Sequence, residues 1–141
     1  MLISLTAQIT GRDYMATWKE VTTVLINAKT HKAEMVNDSL VKTLIPTSDG
    51  RTQLVWIENV KGDAVFSSVV CKIDDVNLVA LFKSDVLKTI SYGLSSIGEH
   101  LVMRHAAPLE NMNVNELAQP IVQLAIFGDI LEAAITGQDA Y

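Results

Sequence analysis

Between residues 35 and 73 apolar side chains recur at about every second position, the period of a half-buried β-strand. Three such runs, "MVNDSLVKTLIP", "RTQLVWIENV" and "AVFSSVVCKI", are separated by "TSDG" and "KGD". Asp-Gly and Lys-Gly-Asp between β-rich runs are hairpin signals, because glycine takes positive φ without a steric penalty. The pattern predicts a three-stranded antiparallel meander. In its third strand Val65, Val69, Cys71 and Ile73 are expected on one face and Phe66 and Val70 on the other.

On either side the period lengthens to that of a helix. Tyr14, Trp18, Val21, Leu25 and Ala28 step by four and three, which predicts a helix capped at Asp13. Trp18 and Trp56, at helical and strand spacing, are expected in the core. The spacing of Val79, Phe82, Val86 and Ile90 predicts a second helix over 77–90, capped by Asp74, Asp75 or Asn77. Extended chain follows around 92–108, with a turn or bulge at Gly98. The last helix is expected from about Asn113 to Thr136. Asn113 and Glu116 form a capping box, Pro120 predicts a kink or restart, and Gly137 is the stop. Residues 2–9 alternate weakly and read as a strand or a short helix.

Leu117, Ile121, Leu124, Gly128, Leu131 and Ile135 make one stripe of that last helix, and Val122, Ala125, Ile126, Phe127, Ile130 and Ala134 widen it to most of the circumference. A helix apolar nearly all round needs cover on two sides. The sheet supplies one. The same helix of a second copy is the simplest source of the other, with the helix over 77–90 as the alternative pairing element. Leu124, Phe127, Leu131 and Ile135 are the expected packing or interface positions, so that Leu131→Asp would either dissociate a dimer or unfold the chain. Strands in runs flanked by helices, without strict alternation, give an α+β domain with an antiparallel sheet, read as one unit over 1–141.

Composition narrows the function classes. Of 141 residues, 49% are hydrophobic and 19% charged, so there is apolar surface to spare for an interface. Net charge is −5 with no basic block, which argues against nucleic acid or an anionic membrane surface as a partner. No run of roughly 18 apolar residues predicts a membrane span, and the first residues lack the positive start of a signal peptide. A lone cysteine, Cys71, suits a reducing, cytoplasmic setting and is expected to be a buried, inert thiol.

Candidate chemistry is sparse. No phosphate-loop, nucleophile-elbow or zinc-protease motif occurs. His100 and His105 have odd separation on a strand and should face opposite ways, and no cofactor or metal site is expected. The polar residues at the end of the last helix, Asp129, Glu132 and Asp139, are carboxylates that can bind a hard cation or act as acid and base. Their position between apolar residues favours a solvated helix edge, with a structural hydrogen bond from Asp129 or Asp139 as the alternative. Arg51 and Gln53, after the first turn, are the polar candidates for a binding surface.

Two stretches carry a family resemblance: "LVKTLIPTSDGRTQLVWIENV", and "LVMRHAAPLENMNVNELAQPIVQLAIFGDILEAAITGQD" with its Pro-Leu exit and terminal helix. Over residues 35–140 the chain resembles the YbjN-like family, related in architecture to CesT-type type III secretion chaperones. The resemblance implies a small chaperone-like α+β homodimer without catalysis that binds a polypeptide client. The alternative is a small-molecule sensor or enzyme, with a pocket between helix and sheet near Cys71, Arg104 and His105.

Overall fold

The computed structural model describes residues 15–137 and 140–141. The expectations for residues 2–9, for Asp13 and Tyr14, and for Asp139 lie outside them. Helix α1 runs Trp18–Asn27. Its cap is Thr17, whose hydroxyl accepts from the Glu20 amide while the Glu20 carboxylate accepts from the Thr17 amide. That reciprocal box starts the helix later than a cap at Asp13 would.

Six strands follow in one antiparallel sheet: β1 (Lys32–Asn37), β2 (Leu40–Pro46), β3 (Thr52–Val60), β4 (Asp63–Lys72), β5 (Gly93–Ile97) and β6 (His100–Pro108). Their order across the sheet is β1-β2-β3-β4-β6-β5. The α+β class is therefore as the periodicity indicates. The meander, however, has four strands instead of three. The Asn37 side chain accepts from the Ser39 amide at 2.9 Å, and this local turn splits "MVNDSLVKTLIP" into β1 and β2.

Between β4 and β5 lies a short helix, α2 (Leu78–Lys83), then a 3-10 turn over Asp85–Thr89. Asn77 caps α2, accepting from Ala80. The single helix expected over 77–90 is broken at Ser84, whose amide and hydroxyl both bond the Leu81 carbonyl and close the last turn locally. Leu81 is the buried residue of α2; Val79 and Phe82 of the expected inward stripe are exposed.

The capping box of Asn113 and Glu116 heads a 3-10 turn, and α3 (Ala118–Thr136) continues from it. Pro120 sits in the first turn of α3, where an amide would have no helical acceptor, so it marks a restart and not a mid-helix kink. Gly137 ends α3 with φ of 69°, its amide bonded to the Ala133 carbonyl.

One face of the sheet is the core. Val41, Ile45, Val55, Ile57, Phe66, Val70, Leu101 and Met103 point into it and join Val21 and Leu25 of α1, Leu81 of α2, and Leu117, Ile121, Leu124 and Leu131. Leu124 and Leu131 are wholly buried, while Phe127 and Ile135 are half-buried against the same cluster. All four expected packing-or-interface residues of α3 therefore pack against the chain's own core. The register breaks between Val69 and Cys71, which turns Cys71 to the helix side together with Val70 and away from the face of Val65 and Val69.

Two substitutions test this core. Leu124→Ala is expected to lower stability by about 2–5 kcal/mol in urea titrations, the cost of an unrelaxed cavity. Leu131→Asp, which buries a charge opposite the sheet, is expected to abolish cooperative unfolding, and a dissociated but folded monomer would contradict the placement.

Candidate interaction surface

Three of the polar candidates, Arg51, Asp129 and Glu132, meet at one largely buried place together with Thr47. The β2–β3 connection turns through Asp49 and Gly50, both at positive φ, and brings Thr47 and Arg51 under the C-terminal half of α3. Arg51 Nε donates to Asp129 Oδ1 at 2.7 Å, and the Thr47 hydroxyl donates to Oδ2 at 3.0 Å. An Arg51 Nη lies 3.6 Å from Glu132 Oε1, which also accepts the Ala140 amide at 2.8 Å. Asp129 is 4% exposed and Glu132 is 0% exposed. The solvated edge expected for these acids is thus replaced by a buried ion-paired brace.

Gln53 is buried too, which removes it from any binding surface. Its amide nitrogen donates to Ser68 Oγ and to the Val69 carbonyl, both at 2.9 Å, and Ser68 donates to the Leu54 carbonyl. Gly128 faces this pair. A methyl group there would sit 3.0 Å from Ser68 Oγ and 3.1 Å from Gln53 Nε2, so glycine is what lets α3 approach the sheet. The sequence signal existed, since Gly128 and Asp129 interrupt an apolar helix, but their partners are remote in the chain.

The groups proposed for a small-molecule pocket are scattered. His105 lies on the core face between the rings of Phe66 and Tyr92, whereas Arg104, one residue away, faces outward and reaches Ser95. Cys71 is buried beside the end of α3. Burial, then the charges of Asp75 and Glu132, push its thiol above the usual range. Among the described residues no three His, Cys, Asp or Glu side chains stand as a metal-binding group.

What the molecule does present is apolar surface. The exposed side of α3 carries Val122, Ile126 and Ile130, four residues apart and 44%, 42% and 45% exposed. The only charged residues of α3 are Asp129 and Glu132, both turned to the sheet, so this solvent side has no charge along its 19 residues. Val24 of α1 and Val122 line one cleft of about 270 Å³ between the two helices, which makes the surface continuous across them. An 18-residue window within Val114–Thr136 has a mean hydropathy of 1.3, high enough for a bilayer span by length and composition, but its sheet side is committed to core and ion pair. On the opposite face of the sheet, Leu44, Leu54, Trp56, Val65 and Val69 are half-exposed, so Trp56 is not in the core, whereas Trp18 packs against it and donates to the Asp38 carbonyl.

No protein-family model matches the chain, and no curated protein matches it in sequence.

Two measurements check the brace and the thiol. Asp129→Ala is expected to cost about 2–4 kcal/mol, because it removes the carboxylate that takes both the part-buried Arg51 guanidinium and the Thr47 hydroxyl. In a double-mutant cycle with Arg51→Ala the losses should be less than additive, and strict additivity would mean the pair does not interact. For Cys71, a raised pKa leaves less thiolate at any given pH, and burial blocks access. Alkylation at pH 8 should be far slower than for a free thiol and should become fast only on denaturation.

Proposed function

We propose that the chain is a non-enzymatic protein-interaction module, a cytoplasmic homodimer of chaperone-like character that pairs through α3 and offers its remaining surface to a polypeptide. The observation that carries this reading is the uncharged, apolar solvent side of α3. A protein of net charge −5 meets its own copy at least cost where neither copy presents charge. At roughly 1.5 Å per residue α3 is about 28 Å long, and together with α1 it offers a strip two helices wide. Extended over the flanking loops, such a strip approaches the roughly 800 Å² per partner of a standard interface. On this reading residues 35–140 would form a YbjN-like, CesT-type chaperone fold. The fate of the reactive groups supports the same reading: Arg51, Asp129 and Glu132 engage one another in a structural brace, and the Cys71 thiol is buried.

Because pairing uses Val122, Ile126 and Ile130, not the buried Leu124 and Leu131, the test separates assembly from folding. Sedimentation equilibrium of the wild type should give twice the chain mass. Ile126→Asp should halve it while leaving the melting temperature of the monomer fold nearly unchanged. A monomeric wild type at tens of micromolar would sink the dimer, and a dimer indifferent to Ile126→Asp would move its interface off α3.

A further inference from the structure

The two edges of the sheet are built differently. Edge strand β1 carries Lys32 and Glu34, is irregular between Met35 and Asn37, and has α1 packed on it. Charge, a bulge and a covering helix are the ordinary guards against strand addition. Edge strand β5, "GLSSI", has no charge, no proline and no register break against β6. Leu94 of β5 packs toward the core, while Ile97 is exposed.

Beside this open edge, on its helix side, lies a cleft of about 370 Å³. Leu87, Ile90, Tyr92 and Leu94 give it an apolar floor, and Phe82 stands at its mouth, 64% exposed. Its rim holds two cations, Lys83 and Lys88. Lys88 pairs with Asp85 at 2.5 Å in an exposed contact, and Lys83 has no carboxylate partner among the described residues. In a protein of net charge −5, Lys83 gives this apolar hole a local positive rim, next to the edge of β5 that pairs with no other described strand.

We propose that β5 and this cleft form a docking site for an extended polypeptide segment that carries an apolar side chain next to an acidic one. The segment adds as a seventh strand about 4.8 Å beyond β5. Its backbone bonds the free edge of Gly93–Ile97. Every second side chain then points to the helix side, where the first fills the cleft between Phe82 and Leu94. A flanking carboxylate meets Lys83, with Lys88 within the same rim. The alternation of a strand suits this arrangement, since it presents only one set of side chains to the cleft. The positive rim selects against basic segments and favours acidic ones. The site refines the polypeptide-binding part of the proposed function and is independent of pairing through α3.

Panning a display library of random linear peptides against the wild type tests it, with two variants as counter-targets. Ser96→Pro closes the edge, and the pair Lys83→Glu and Lys88→Glu reverses the rim while touching only exposed side chains. Thermal melts establish that each variant is folded. The expected result is a set of alternating apolar peptides with an acidic residue, which lose binding to Ser96→Pro and bind the rim variant about tenfold more weakly. Amide exchange of residues 93–97 should slow when such a peptide is bound. If Ser96→Pro does not fold, the rim variant and the exchange pattern decide the matter. Enriched peptides indifferent to the rim and leaving 93–97 unprotected would overturn this site but leave polypeptide binding standing. A library that yields no binder would overturn both.

Discussion

The seat of α3 on the sheet is the constraint from which the rest follows. At Gly128 the helix backbone comes within contact distance of the Gln53–Ser68 pair, and one residue later Asp129 takes the guanidinium of Arg51 and the hydroxyl of Thr47. Removing the side chain at one position and ionising the next fixes both the depth and the rotation of α3. A helix apolar around most of its circumference has little preference of its own for which side faces the sheet. Here the small residue and the charge choose, because only one rotation puts Gly128 against Ser68 and Asp129 against Arg51.

That choice has two consequences for the surface. It turns Leu124 and Leu131 inward and leaves Val122, Ile126 and Ile130 in solvent. It also places both carboxylates of α3 on the sheet side, so the exposed side is bare of charge. The brace therefore does more than stabilise the β2–β3 turn: it produces the uncharged face on which self-association is proposed. The arrangement carries a cost, because two acids and an arginine leave bulk water, and the hydrogen bonds from Thr47 and the Ala140 amide offset part of it.

The sheet divides its edges in a similar way. Beneath α1, β1 is charged, irregular and covered, while β5 at the other end is uncharged and regular, with a cleft alongside. The half-exposed outer face, with Leu44, Leu54 and Trp56, gives the molecule a second apolar area away from the helices. Among the described residues the sheet thus has one covered face, one open face and one open edge, and the proposed polypeptide contact uses the open edge. Arg51, Asp129 and Glu132 hold the helix to the sheet.

Local chemistry made much of the fold legible in the sequence. The hairpin at Asp49-Gly50, the box of Asn113 and Glu116, the restart at Pro120 and the stop at Gly137 each depend on residues within a few positions of one another, as do the two periods that mark strand and helix. What the tertiary structure alone decided is non-local. Arg51 and Asp129 are 78 residues apart, and neither spacing nor composition pairs them. The register break in β4 sends Cys71 to the helix side because β6 pairs there, and Ser84 breaks the second helix where Leu81 has already met the core. Of the expected surface residues Gln53 became interior and Arg51 part-buried, and the interface candidates Leu124 and Leu131 became core, for one physical reason. Hydrophobic periodicity tells which element a residue belongs to, but a helix apolar all round has no phase, and its orientation is set only when the sheet presents a guanidinium and a small polar notch to receive it.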